Sequence, residues 1–241
     1  MAYGSQPRWT DRSAATQADI DVGLREYMLR IYNYMASALA LTGIVAYVAS
    51  AGGRDSFIAH VYHTPLMWLV ILAPFGLVML MSFGINRLSV PAAQGVYWLY
   101  AALMGLSLST IFLVYTGESI ARVFFITAGT FTAMSLYGYT TRRDLSQLGS
   151  FLFMGLIGIV IASVVNIFVG SSALQFAISV IGVLVFTGLT AYDTQAIKET
   201  YYEGAGHEIA SKTAIMGALR LYLDFVNLFM MLIQLLGVRR D

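Results

Sequence analysis

Seven stretches of the chain stay apolar long enough to cross about 30 Å of hydrocarbon: residues 32–51, 66–86, 94–114, 119–139, 149–169, 173–194 and 214–236. The connections between them are short, and the one longer connection, 195–213, precedes the last stretch. At 1.5 Å per residue, stretches of this length read as helices rather than strands. The pattern predicts an all-α integral membrane protein, with seven transmembrane helices over residues 27–241 behind a polar N-terminal segment, 1–26. No internal repeat is evident, which argues against a transporter built from two inverted halves.

The last apolar stretch breaks the pattern. Gly217, Arg220, Asp224, Asn227, Met231 and Gln234 recur at spacings of three and four, so they share one face of a helix. The other faces are Leu, Phe, Val, Ile and Met. Lipid has no partner for such a polar stripe. The last helix is therefore expected at the centre of the bundle, wrapped by the other six. A second acid, Asp193, follows the apolar run LVFTGLTAY at the end of the sixth stretch. Because the seventh stretch starts on the side where the sixth ends, the two aspartates can meet if the two helices pack. Two carboxylates in contact do not both ionise cheaply, so such a pair shares a proton. A divalent cation such as Ca²⁺, with its preference for hard oxygen ligands, is the alternative way to neutralise it. Intramembrane ionisable groups of this kind usually serve ion or proton movement. The competing structural reading is that Arg220 and Asp224 pair with each other four residues apart on one helix, and that Asp193 is an interfacial carboxylate satisfied by water.

Composition agrees with a membrane protein. Of 241 residues, 58% are hydrophobic and only 11% charged, too few charges to cover a soluble surface. The net charge is +1, and no basic patch suggests nucleic acid. The chain has no cysteine, which excludes disulfides, thiolate catalysis and thiolate metal sites. The start of the chain lacks the pattern of a cleaved signal peptide, so the first apolar helix is expected to direct insertion. With the N-terminus inside, the cytoplasmic side receives Arg8, Arg12, Arg25, Arg30, Arg87, Arg142, Arg143, Lys198 and Lys212, and the outer side Arg54, Arg122, Arg239 and Arg240. The positive-inside rule favours that orientation. Arg239 and Arg240 pull mildly the other way, and a last helix that stops short would return the C-terminus to the inside.

Smaller features carry packing roles. Ala101, Gly105 and Ser109, and Gly158 with Ala162, are small residues at four-residue spacing, suited to close helix approach. Pro65 opens the second stretch and Pro74 is expected to kink it. Tyr62, Trp68, Tyr115, Tyr137 and Tyr139 fall where interfacial aromatics sit. His60 and His63, with Asp55 nearby, form a conceivable metal site in a loop, without the spacing of a helical zinc protease. His207 and Glu208 read as solvated loop residues. No nucleophile–base dyad and no phosphate-binding glycine loop is present. Tyr192 and Asp193 match half of the signature of intramembrane aspartyl proteases, but LYLDF does not match the other half.

The segments AYDTQAIK and ALRLYLDFVNLF resemble the C-terminal half of the Bax inhibitor-1 family, also called the transmembrane Bax-inhibitor-motif family. DLSQLGSFLFMGLIG, residues 144–158, is similar to its bacterial branch of YccA-like proteins. The resemblance spans about Tyr27 to Leu236. It implies a seven-helix fold with the polar last helix at the centre. It also implies a non-enzymatic Ca²⁺ leak regulated by pH through paired aspartates, which match Asp193 and Asp224. An arginine after the second helix is implied to latch the first aspartate in the closed state, and the matching position is Arg87, in FGINRLS. Arg220 is a rival charge partner. The family often has several basic residues near Arg87 and an acid within the second helix, whereas this chain has one base and no acid in 66–86.

These readings lead to a pH-sensitive cation leak in a bacterial inner membrane. Asp193 and Asp224 form the ion and proton site, Arg87 or Arg220 serves as the latch, and Asn227 and Gln234 line the path. No cofactor is expected beyond Ca²⁺ as the permeant ion. Two other roles stand beside it: modulation of a membrane-bound AAA protease that grips residues 1–26, and proton-coupled transport of a small solute.

Overall fold

A computed structural model describes residues 9–202 and 206–240, with side chains from Val22 onward apart from Arg54. Arg8, with the rest of the first eight residues of the polar segment, and the side chain of Arg12 lie outside that description. Seven helices in the described residues are long and apolar enough to cross a membrane. They are α1 (Trp9–Ser50), α2 (Leu66–Gly84), α3 (Val90–Leu108), α4 (Gly117–Thr140), α5 (Ser146–Val169), α6 (Ser172–Glu199) and α7 (His207–Leu236). After a single turn residue, α3 is prolonged by Thr110–Val114. A one-turn 3-10 segment, Ile85–Arg87, follows α2, and a short helix, Phe57–Tyr62, lies between α1 and α2.

Polar residues at the ends of the apolar runs set where the helices begin. The hydroxyls of Ser89, Thr116 and Ser171 cap α3, α4 and α6 by accepting from the backbone N–H of Ala92, Ser119 and Leu174. Gly170 stops α5 in the left-handed conformation, φ 64°. Asp144 Oδ1 accepts from the Ser146 N–H ahead of α5 at 2.8 Å. Hydrogen bonds with Ser146 hold this exposed carboxyl below the usual carboxylate range. Its support for the start of α5 is therefore present above the unfolded value of about 4 and lost as pH falls through the lower folded value. The helices outrun the apolar stretches. Charged turns at the end of α6 and the start of α7 are helical too, so the connection expected over 195–213 shrinks to residues 200–206.

The last helix is the hub, with more of its apolar stretch buried than in any other helix. It packs against α1, α3, α4 and α6, whereas α2 lies mainly on α3 and α5 mainly on α6. Of the six helices around it, four therefore pack closely on α7, and α2 and α5 face it across space. Between α7 and the two outer helices are cavities. One of about 400 Å³ lies toward α2 and one of about 500 Å³ toward α5. Leu223 and Asn227 border both. The polar stripe explains the spacing, since its side chains fit poorly against fully apolar helices.

Inside the bundle, polar groups find each other. Thr42 on α1 donates to the carbonyl of Ala101 on α3 at 2.8 Å and shares a 2.8 Å hydrogen bond with the Tyr222 hydroxyl on α7. Tyr32, Ser135 and Thr194 form a hydroxyl chain from α1 through α4 to α6, at 2.6 and 2.9 Å. Pro74 lacks the N–H that would bond the carbonyl of Val70. The hydroxyl of Ser107 on α3 donates to that carbonyl instead, at 2.7 Å, the internal compensation that a lipid environment demands.

Small residues let the backbones close up. Ala101, Gly105 and Ser109 are buried, and a Cβ on Gly105 would lie 2.7 Å from the carbonyl oxygen of Thr42. Gly158 is different: it is exposed, with nothing within 4 Å of where its Cβ would be. Gly158 therefore makes no helix contact, whereas Ala162 is half-buried and packs on the core cluster of Ile159, Ile178 and Val185, so the two do not act as one pair. The tightest approach brings Gly138 of α4 onto Ala191 of α6, where a Cβ would clash with the Ala191 backbone.

The last residues turn back across the bundle end. Thr116 N–H bonds the Val238 carbonyl at 3.0 Å, Arg240 N–H bonds the Val114 carbonyl at 2.8 Å, and Val238 N–H bonds Ser119 Oγ at 2.8 Å. With 30 residues, α7 spans about 45 Å and delivers its C-terminus to the end of the bundle that carries the α3–α4 turn. The alternative of a short, returning last helix is thereby replaced. Tyr115 is buried beside this tail rather than placed among lipid headgroups, whereas Trp68 and Tyr137 are exposed.

Gly138→Ala is expected to destabilise the protein by about 1–3 kcal/mol, the usual cost of overpacking. Gly129→Ala, at a position with open space, should be neutral or stabilising, since Ala is the better helix former. Thermal unfolding in detergent compares the two. Equal melting temperatures would show that α4 and α6 do not meet at Gly138.

Candidate functional site

Antiparallel packing of α6 on α7 creates the site. Asp193 sits two turns before the end of α6, and Asp224 lies deep within α7. Their carboxyls are neighbours at the wall of one cavity, with the Arg220 guanidinium beside them. Asp224 is only 5% exposed. Its Oδ2 is buried and has no hydrogen-bond partner among the described residues. A carboxylate oxygen in that position calls for a proton, a cation or water to satisfy it.

Arg220 reaches across to α6. Its Nη1 lies 3.7 Å from Asp193 Oδ1. The pairing expected between Arg220 and Asp224 within one helix is thus replaced by a pairing between helices, since the one-turn offset points the guanidinium outward past Asp224 toward Asp193. At 3.7 Å, with the Arg220 side chain 56% exposed, the pair is loose and open to exchange. Arg87 lies elsewhere, exposed in the 3-10 turn after α2. Among the described residues the ion pairs are Arg220–Asp193 and Lys212–Glu208.

Both aspartates and Arg220 open onto the cavity of about 500 Å³ between α5, α6 and α7. Asn227 lines it one turn beyond Asp224, although its Nδ2 is already donated to the Leu223 carbonyl at 2.8 Å. Gly149, Ser150, Phe153 and Leu156 of α5 and Tyr192, Leu189 and Phe186 of α6 complete the walls. The α5 wall falls in the segment 144–158 that carries the family resemblance, but no chemistry of its own marks it as part of the site. Gly149 is where the packing shows, since a Cβ there would enter the ring of Tyr192.

Gln234 does not face this cavity. Its Oε1 accepts from Gln175 Nε2 at 2.6 Å and from Ser179 Oγ at 2.8 Å. Gln175 Oε1 accepts from Asn166 Nδ2 at 3.1 Å. Gln234 therefore belongs to an amide cluster near the opposite end of α7, about 15 Å along the helix from Asp224.

The residues after Asp193 have a structural duty that was not foreseen. Gln195 Oε1 accepts from the Leu145 N–H at 2.8 Å, and its Nε2 donates to the Arg143 carbonyl at 2.8 Å. Lys198 Nζ donates to the Tyr139 carbonyl at 2.9 Å. The helix turn that carries Asp193 thus holds the α4–α5 connection in place. In the first loop, His60 Nδ1 bonds the Ser56 carbonyl at 2.9 Å. Among the described residues no group of three His, Cys, Asp or Glu side chains is arranged to hold a metal ion.

Seven membrane-length helices, the polar last one at their centre, with two acids meeting inside the bundle, define a multi-pass integral membrane protein with an intramembrane ionisable site. Residues 24–241 match the family model described as inhibitor of apoptosis-promoting Bax1, and the chain belongs to this Bax inhibitor-1 family. It is 50% identical over 225 residues to an uncharacterized protein of Rickettsia prowazekii, covering 92% of this chain and 93% of that one. It is 47% identical over 222 residues to inner membrane protein YbhL of Escherichia coli K12, covering 90% and 94%. A Caulobacter vibrioides protein is 44% identical over 242 residues, covering 94% and 95%.

Arg220→Ala should lower the melting temperature at alkaline pH by several degrees, since about 1 kcal/mol moves a chain of this size by roughly 2–4 °C. The deficit should shrink on acidification, because protonated carboxyls no longer need the cation. Asp224→Asn, which removes a buried acid lacking a partner, should melt no lower than the parent protein at alkaline pH. An Arg220→Ala deficit that is the same at both pH values would show that the guanidinium does not neutralise the carboxyls.

Proposed function

We propose that this protein is a proton-controlled cation leak, with Asp193 and Asp224 as its intramembrane site and Ca²⁺ as a permeant ion. The observation that carries the proposal is the buried, unpartnered Oδ2 of Asp224 beside Asp193. The site lies at the wall of a cavity roomy enough for a hydrated ion. Ca²⁺ takes six to eight oxygens. Two carboxyls and Asn227 supply a few of these, and water retained in the cavity supplies the others, an arrangement suited to passage rather than storage.

In this reading Arg220 is the latch. While the carboxyls are charged, the guanidinium holds Asp193 and adds positive charge at the cavity mouth, which repels an incoming cation. Protonation removes the attraction, since a neutral carboxyl holds a guanidinium weakly. Arg220 then swings away and the mouth opens. Its 56% exposure gives it room to move. The family resemblance assigns the latch to Arg87. Arg220 is preferred because it is the arginine that contacts Asp193.

We place the N-terminus on the cytoplasmic side, from the excess of Lys and Arg at the α1, α2–α3, α4–α5 and α6–α7 ends. Arg220 and Asp193 then face the cytoplasm, so cytoplasmic acidification is the opening signal. The bacterial inner membrane is proposed as the location, since the relative YbhL is an inner membrane protein.

Purified protein in liposomes with a trapped Ca²⁺ dye tests the reading. Ca²⁺ entry should rise several-fold on acidification. Asp193→Asn and Asp224→Asn should each remove the pH dependence, and Arg220→Gln should raise entry at neutral pH. Ca²⁺ entry that keeps its pH dependence in both aspartate variants would reject the proposal, as would no entry at any pH.

A further inference from the structure

The stripe on α7 is polar at both ends and broken once. Antiparallel packing aligns α6 with α7 so that Asp193 meets Asp224, Gly182 meets Met231, and Ser179 meets Gln234. Asn227 borders the carboxyl cavity, whose lining runs as far as Phe186 and Leu156. Gln234 belongs to the uncharged cluster of Asn166, Gln175 and Ser179. Between Asn227 and Gln234 on this face stands Met231, four residues from the first and three from the second.

Met231 fills this position because Gly182 leaves it vacant. A Cβ on Gly182 would lie 2.7 Å from both Cγ and Sδ of Met231. The thioether therefore occupies the space that a side chain on α6 would take. One turn away toward the carboxyl cavity α6 offers the buried apolar side chains Val185 and Phe186, and on the other side Ile178 beside Ser179, which already belongs to the amide cluster. Any route between the carboxyl cavity and the amide cluster along the α6–α7 seam must pass this contact. Methionine is unbranched, with three rotatable bonds. A small rotamer change opposite a glycine opens a gap without moving either helix, and apolar constrictions of this kind block ions by excluding water.

We propose that Met231, seated on Gly182, is the constriction of the ion path, and that the amides of Asn166, Gln175 and Gln234 with the hydroxyl of Ser179 form a second, uncharged station for the cation beyond it. Uncharged oxygen ligands hold a cation weakly enough to release it. In the closed state the amides bond one another, and an arriving cation takes their oxygens by rotation of the same side chains. This assignment rests on the leak reading of the aspartates for its functional meaning, although the constriction itself is measurable without any flux.

The absence of cysteine makes an introduced thiol a clean reporter. Asn227→Cys is placed in the otherwise native chain, and a charged, impermeant thiosulfonate is applied to oriented vesicles from each side. The thiol should react from the side where α7 begins and be protected from the side where α7 ends. Adding Met231→Ala should raise its reaction rate from the α7 C-terminal side by more than an order of magnitude. Adding Met231→Leu, which keeps the bulk, should not. If Met231→Ala does not yield monodisperse protein, Met231→Val shortens the side chain with less loss of packing and is held to the same outcome. A far-side rate unchanged by shortening Met231, or a thiol already equally reactive from both sides, overturns the constriction. The companion Ca²⁺ assay separates the two ideas. Access opened by Met231→Ala without Ca²⁺ flux in any variant supports the constriction and rejects the leak. Flux governed by Asp193 and Asp224 with access indifferent to Met231 rejects the constriction and leaves the leak standing.

Discussion

A helix that carries Arg220, Asp224, Asn227 and Gln234 along one face cannot turn that face to hydrocarbon, and this constraint organises the molecule. It places α7 among α1, α3, α4 and α6. It leaves cavities where the stripe meets α2 and α5. It also gathers the ionisable groups at one level, where among the described residues their charged partners are each other. Buried charge is tolerable here because each member answers another: the guanidinium answers Asp193, Asp193 approaches Asp224, and the remaining oxygen of Asp224 is left waiting for a proton or a cation. An isolated carboxylate at that depth would cost several kcal/mol.

The same constraint operates at smaller scale throughout the bundle. Every interior hydroxyl described above is tied to a neighbouring helix or to its own backbone, from the Thr42–Tyr222 bond to the Tyr32–Ser135–Thr194 chain. Ser107 repairs the backbone carbonyl that Pro74 leaves open. These bonds fix helix positions that dispersion alone would leave free to slide, because lipid tails compete equally well for apolar faces. Glycine contributes the opposite way, by removing a side chain where backbones must touch, as at Gly138 and Gly105.

Much of this was visible in the residue pattern. Seven apolar stretches gave seven helices, and the three- and four-residue spacing of Gly217, Arg220, Asp224 and Asn227 identified a face that had to turn inward. The convergence of Asp193 and Asp224 followed from the side on which each helix starts. What periodicity cannot convey is the rotation of one helix against the next. That rotation sends Arg220 to Asp193 instead of Asp224, and Gln234 to Gln175 and Ser179 instead of the carboxyl cavity. It also turns Gly158 outward. Charged turns at the ends of α6 and α7 looked like loop by composition, but a helix continues readily into the aqueous boundary. Gln195 and Lys198 gave no sign of bracing the α4–α5 connection, since their partners are backbone groups some fifty residues away in the chain.

The tail after Leu236 has a mechanical consequence. Its backbone is stitched to Val114 and Thr116, so the far end of α7 is pinned to the α3–α4 turn, while Ala214, Ile215 and Ala218 embed the near end in the core. A rod gripped at both ends resists sliding along its axis. Rearrangement beside Arg220 and Asp224 therefore falls to the side chains themselves and to α5, which faces them across a cavity rather than in close packing.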